Sequence, residues 1–171
     1  PSNIELSIDE QIYSTQINSS GLAVWTWTPT QTGSYIPNVI YQGQSLGTFP
    51  EIVVNPAAAA NITIEMDSTW TIVQSPIGYE VYFIDVYGNR TDAVDDIVVT
   101  RVSDGGIVYQ GNLTNELSDS DVPTQKRSAE QLSVSSSLFS PSVSTPYDVL
   151  ETCSFDPNLA VELINQPDNI I

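Results

Sequence analysis

The segment Asn61-Ile62-Thr63-Ile64-Glu65-Met66-Asp67-Ser68-Thr69-Trp70-Thr71-Ile72 alternates apolar and polar side chains along its length. Ile62, Ile64, Met66, Trp70 and Ile72 fall on one face; Thr63, Glu65, Asp67, Thr69 and Thr71 fall on the other. Successive side chains of a strand point to opposite faces, so a period of 2 predicts a half-buried β-strand. A helix would place its apolar residues three and four apart.

The same signal continues downstream. Residues 79–87 read as a strand closed by Gly88-Asn89. Ile97-Val98-Val99-Thr100-Arg101-Val102 follows and ends at Asp104-Gly105-Gly106. Ile107-Val108-Tyr109 then runs to Gly111-Asn112. Upstream, Ile4-Glu5-Leu6-Ser7-Ile8 alternates, 13–17 is a weaker strand, and Leu22-Ala23-Val24-Trp25-Thr26-Trp27-Thr28 has strand composition up to Pro29. Tyr35-Ile36-Pro37-Asn38-Val39-Ile40-Tyr41 is a strand whose Pro37 lacks a ladder donor, which predicts an edge or bulge there. Glu51-Ile52-Val53-Val54 stops at Asn55-Pro56. Four alanines at 57–60 are too few to propagate a helix and predict a connector. Short strands at near-regular spacing, with turn residues between them and no helical period before residue 115, predict an all-β, antiparallel β-sandwich class.

The signal fades after residue 115. Residues 116–121 are acidic, and 128–145 are rich in Ser with Pro141 and Pro146 close by; such composition predicts a flexible or extended arm over 116–146. The end of the chain, 147–171, regains apolar residues and is open to a short strand, including one donated to another copy, or to a short helix.

Two stretches resemble a known family. Gly21, Ala23, Trp25, Trp27, Pro29-Thr30, Gly33, Tyr35, Val39, Tyr41, Gly43, Leu46-Gly47, Ile52 and Val54 resemble, in order and spacing, the later strands of a filamin-type immunoglobulin-like repeat. The likeness departs at Thr48-Phe49-Pro50 and at Pro37. Phe83-Ile84-Asp85-Val86-Tyr87-Gly88-Asn89 is similar to an early part of the same repeat, where Gly-Asn makes a corner needing positive φ. The resemblance implies immunoglobulin-like sandwich repeats, with 1–56 the C-terminal half of a first sandwich, 57–60 a linker and 61–115 the N-terminal half of a second. Two arrangements are open: an arbitrary stretch of a longer array, or sandwiches completed by strands from neighbouring copies. The second is heterologous and non-closing, so it builds filaments.

Composition narrows the chemistry. The 171 residues carry 21 acidic side chains, four basic ones (Arg90, Arg101, Lys126 and Arg127) and no histidine, a formal net charge of −17. Such a surface repels nucleic-acid phosphates and anionic membranes. No apolar stretch is long enough to span a bilayer as a helix. Without histidine, Ser-His and Cys-His pairs and Cys/His zinc sites do not form. No phosphate-binding glycine loop is present. Asp95-Asp96 and Asp119/Asp121 are carboxylate pairs with nothing to mark one above another. Asp119-Ser120-Asp121 is the densest calcium candidate, yet it lacks the Gly and distal Glu of a hand-like loop. No catalytic residue, metal ligand or cofactor is expected.

Asn-x-Ser/Thr sequons occur at Asn18, Asn61, Asn89 and Asn112, each at or beside an expected turn or strand start, where a bulky glycan fits. They predict N-linked glycans and an extracellular or cell-surface location. The lone Cys153 is a buried free thiol, the half of an intermolecular disulfide, or bonded to a partner lying outside this segment. Lys126-Arg127 is the one dibasic pair, a processing-site candidate in the expected arm. The functional expectation is a structural, non-enzymatic glycoprotein that self-assembles head-to-tail. The competing readings are a monomeric adhesion or recognition spacer, and a carbohydrate-binding module with Trp25 or Trp27 as sugar platform.

Overall fold

The computed structural model describes residues 3–151, and they are all-β. The first unit contains β1 (Asn3–Ile8), β2 (Gln11–Gln16), β3 (Gly33–Tyr35), β4 (Asn38–Tyr41), β5 (Gln44–Thr48) and β6 (Ile52–Val54). Asp9 and Glu10 both take positive φ (48° and 65°), as do Gln42 and Gly43 (49° and 77°). Two consecutive positive-φ residues make the tight turn whose twist suits a hairpin, so β1–β2 and β4–β5 fold back on themselves. The sheet order is β2-β1-β4-β5, and β3 pairs separately with β6. Pro37 sits between β3 and β4, where the chain changes sheet, and its carbonyl accepts from Phe49 N at 2.7 Å.

The second unit contains β7 (Asn61–Met66), β8 (Trp70–Ile72), β9 (Ile77–Ile84), β10 (Arg90–Thr91), β11 (Val94–Arg101), β12 (Ile107–Thr114), β13 (Glu116–Asp121), β14 (Arg127–Glu130), β15 (Leu132–Ser136), β16 (Ser142–Val143) and β17 (Tyr147–Leu150). One layer is β7-β9-β13, with β10 on the end of β9. The other is β12-β11-β15-β16, extended by β14-β17-β8. The two parts are joined at Gln131 and Ser144: Leu132 N donates to Ser144 Oγ, and Gln131 Nε2 donates to Ser144 O. Ile62, Ile64, Tyr79, Val81 and Phe83 of the first layer meet Ile97, Val99, Leu132, Val134, Tyr147 and Val149 of the second in one core. This is an immunoglobulin-like antiparallel β-sandwich, with β8 added parallel to β17 along one edge.

The two units share one topology. The order β2-β1-β4-β5 repeats as β12-β11-β15-β16, and β3-β6 repeats as β14-β17, in the same chain sequence. Residues 21–28 therefore stand where β13 stands. The first unit has no counterpart of β7, β8 or β9 among the described residues. Its burial follows: only Leu6 and Ile8 are buried hydrophobics in its described part, against the whole cluster of the second unit.

Several expectations are corrected. The acidic stretch 116–121 is strand β13, antiparallel to β9; its carboxylates tolerate this because the outward side faces water, while Asp121 turns inward to Arg101. The Ser-rich stretch holds β14, β15 and β16 rather than an arm, because Ser133 and Ser135 occupy outward positions that alternate with the fully buried Leu132 and Val134. The second unit thus runs to Leu150 and holds both layers itself, and 147–150 is its own β17. The remainder of the expected C-terminal segment lies outside the described residues. Trp70 does not share the face of Ile62 and Ile64: the chain leaves one layer at 67–69 and enters the other, so Thr71 is buried and Trp70 is exposed. Residues 22–28 are extended and alternate in burial as expected, but they belong to no ladder.

Candidate functional site

The carboxylates singled out from sequence are used inside the second unit. Asp121 is buried, accepts a bidentate pair from Arg101 Nε (2.8 Å) and Nη2, and accepts from the Tyr147 hydroxyl at 3.1 Å. Asp119 accepts from the amide of Ser120 at 2.7 Å. Asp95 accepts from the Ser136 and Ser137 hydroxyls and from the amides of Asp96, Ser137 and Leu138; the Ser136 bond, then Ser137, holds its carboxyl below the usual carboxylate range. Asp96 takes Asn112 Nδ2 instead. Glu130, also buried, accepts from Ser103, Gln131 N and Arg127 Nε. Arg127 is held there and by Asp104 at 2.6 Å, in strand β14 rather than in a free processing loop. Among the described residues no three His, Cys, Asp or Glu side chains converge in a metal-holding group.

Two features lie outside this internal bonding. The first is the junction between units. Asp85 is 2 % exposed. It accepts from Ala57 N (3.0 Å), Tyr87 N (2.9 Å), Asn89 N (2.9 Å) and Asn89 Nδ2 (2.9 Å). Gly88, at φ 86°, lets the chain turn tightly enough for these amides to face one carboxylate. Burial pushes the Asp85 carboxyl up, but the bonds from Asn89, Ala57 and Tyr87 outweigh it and hold it at about 2. Asn89 then reaches into the first unit, donating from Nδ2 to Thr30 O (2.9 Å) and accepting Thr32 N at Oδ1 (3.3 Å). Thr91 Oγ1 donates to Ala57 O at 2.8 Å, so both sides of the connector are fixed. The corner was legible in sequence; its bonds to residues 57 and 59 positions away were not.

The second feature is the open edge of the first unit. From Ala23 to Thr28 no backbone hydrogen bond is made among the described residues. Trp25 donates its indole N–H to Tyr13 O at 2.9 Å, and Trp27 packs edge-on against Tyr35 with ring centroids 5.0 Å apart. The segment is therefore held by side chains. Beside it lies an apolar groove of about 380 Å³ lined by Leu6, Ile8, Trp25, Trp27, Phe49 and Ile52. Val24, on the outer face, is 65 % exposed. A run of unpaired amides and carbonyls next to an apolar floor is a template for another strand.

The sequons differ in environment. Asn18, Asn61 and Asn112 are exposed. Asn18 accepts from the amides of Ser20 and Leu22, and Asn112 donates to Asp96. Asn89 is half-buried, and the nitrogen that would carry a glycan is bound to Thr30 and Asp85. Cys153 lies outside the described residues.

No family model matches the sequence, and none of the curated proteins does. Among solved structures, a glycosyl hydrolase family 2 member from Bacteroides cellulosilyticus is similar over 85 % of this chain and 23 % of its own, at 10 % identity and a TM-score of 0.48. Domains 4 and 5 of the S-layer protein SbsC are similar over 85 % of this chain and 99 % of theirs, at 18 % identity and a TM-score of 0.38. The Yersinia pseudotuberculosis adhesin InvE is similar over 87 % of this chain and 49 % of its own, at 15 % identity and a TM-score of 0.39. The chain spans about a fifth to a quarter of the glycosidase chains it resembles.

Proposed function

We propose that this chain is a structural, non-enzymatic building block of an extracellular β-sandwich array, with units of filamin-type strand order, and that copies join head-to-tail. The observation that carries the reading is the repetition of one strand order in two successive units joined by a stapled connector. Among the described residues the backbone of 23–28 is unpaired beside an apolar groove, and a strand added from another copy pairs it. The stapled connector supports a mechanical role, because Asp85 and Asn89 fix the junction that a spacer would leave free. The exposed sequons at Asn18, Asn61 and Asn112 support passage through a secretory route and a surface location. The carboxylates are engaged in holding strands and loops together, which supports scaffold rather than catalyst.

The test is sedimentation velocity of the full chain over a wide concentration range, followed by electron microscopy of the concentrated sample. Concentration-dependent growth into linear particles is expected. A monodisperse monomer at every concentration would remove the head-to-tail reading.

A further inference from the structure

One loop sequence occurs twice, at equivalent places. Pro29-Thr30-Gln31-Thr32 leads into Gly33 of β3, and Pro123-Thr124-Gln125-Lys126 leads into Arg127 of β14. Strand register makes the two loops counterparts: Gly33 pairs with Val54 of β6 in the first unit, as Arg127 pairs with Val149 of β17 in the second. In the first unit the loop is occupied. Asn89, of the corner Asp85-Val86-Tyr87-Gly88-Asn89, donates from Nδ2 to Thr30 O at 2.9 Å and accepts Thr32 N at Oδ1 at 3.3 Å. Both bonds go to backbone atoms, so Thr124 O and Lys126 N can make them whatever side chains they carry. The second loop is anchored within its own unit: Pro123 O accepts from Gln74 N at 2.8 Å, and Arg127 is held by Asp104 and Glu130. Between those anchors Thr124, Gln125 and Lys126 are exposed and make no backbone hydrogen bond among the described residues.

Resting on the reading of the chain as part of a β-sandwich array, we propose that the loop Pro123–Arg127 is an acceptor for the Asp-x-x-Gly-Asn corner of a further immunoglobulin-like unit. Thr124 O and Lys126 N take the Asn of that corner as Thr30 O and Thr32 N take Asn89, so successive units share one repeated joint. The corner suits this role because it is formed within its own unit: Asn89 N and Nδ2 are held by Asp85, and Gly88 makes the turn at φ 86°. It therefore presents its Asn already oriented, and little ordering is left for the contact itself. Charge favours a partner like the second unit. Lys126 stands where the first loop has Thr32, and it is an exposed cation in a chain of 21 acidic and four basic side chains. A cation on the receiving loop attracts an acidic unit and fixes which end of it approaches.

The test uses a tandem chain in which residues 1–150 are followed by residues 55–171, so that the connector and the second unit occur again after β17. Val149 stands where Val54 stands, so the repeated connector starts within one residue of its usual distance. Ser120→Thr in the appended unit marks its peptides by mass. Amide hydrogen exchange at Lys126 is then read in both loops by mass spectrometry. In the inner loop, which faces the appended corner, exchange is expected to be at least about tenfold slower than in the appended unit's own loop. Asn89→Ala in the appended unit is expected to return the inner Lys126 to fast exchange. The same substitution in the original second unit is expected to free Thr32 instead and to leave the inner Lys126 slow, which separates loss of a joint from loss of fold. Equal exchange at Lys126 in the two loops, or a slow inner Lys126 that ignores Asn89→Ala in the appended unit, overturns the acceptor assignment and leaves association of the parent chain standing. A parent chain that stays monomeric in sedimentation removes the joining of copies without touching this joint.

Discussion

Ile8→Ala and Ile64→Ala remove the same three carbon atoms from side chains that are 4 % and 3 % exposed, yet they should differ in cost. The transfer term alone is roughly 2.4 kcal/mol at about 0.8 kcal/mol per methylene. Ile64 sits in the closed core of the second unit, so truncation leaves a cavity, and the total rises to roughly 3–4 kcal/mol. Ile8 lines the groove of the open unit, where water reaches the vacated space, so no cavity term is added. Its transfer term, roughly 2.4 kcal/mol, then stands alone. Urea titrations at low protein concentration measure both. Tryptophan fluorescence on a Trp70→Phe background reports the first unit through Trp25 and Trp27, and far-UV circular dichroism reports the whole chain. Two transitions are expected, the tryptophan signal melting first. Equal costs for the two substitutions within about 0.5 kcal/mol would refute the reasoning, because the first unit's core would then be as closed as the second's.

Other outcomes follow from the site geometry. The folded Asp85 carboxyl is held at about 2, below the free value near 3.9, so its contribution to stability is full above pH ~4 and is lost as pH falls through about 2. Melting curves of the parent chain and Asp85→Asn should therefore lie apart at neutral pH and converge near pH ~2. Limited proteolysis should cut the 57–60 connector faster in Asp85→Asn. Among the described residues the buried Tyr79 hydroxyl has no hydrogen-bond partner, so Tyr79→Phe should leave stability unchanged or raise it. Tyr147→Phe, which removes a bond to Asp121, should cost about 1–2 kcal/mol by urea titration. Expressed through a secretory pathway, the chain should carry glycans on peptides containing Asn18 and Asn61 and none on Asn89, as read by mass spectrometry; a fully occupied Asn89 would contradict the stapled junction.

The strands that sequence made legible are those whose two faces contrast strongly. β7 alternates Ile and Met with polar residues, and β9 and β11 carry runs of β-branched and aromatic residues closed by turn residues. β13 was missed because Asp119 and Asp121 share the side of Leu117, so no apolar period shows, and β15 because its outward places hold Ser and only Leu132 and Val134 carry the signal. Asp121 looked like part of a solvated acidic run, since its partner Arg101 is 20 residues away. The Asp85–Asn89 corner was readable because it is local, but its grip on Thr30 and Thr32 depends on how two units meet. The open edge was invisible for a related reason. Periodicity reports which side a residue faces, and 21–28 has a normal strand pattern; whether a neighbouring strand exists is a property of topology.

The most direct measurement is amide hydrogen exchange at 23–28 in the full chain, compared between dilute and concentrated samples. These amides make no backbone hydrogen bond among the described residues, so they should exchange fast when dilute and gain strong protection as copies associate, while the β9 and β11 amides stay protected throughout. Exchange at 23–28 that is equally fast at every concentration would contradict the account.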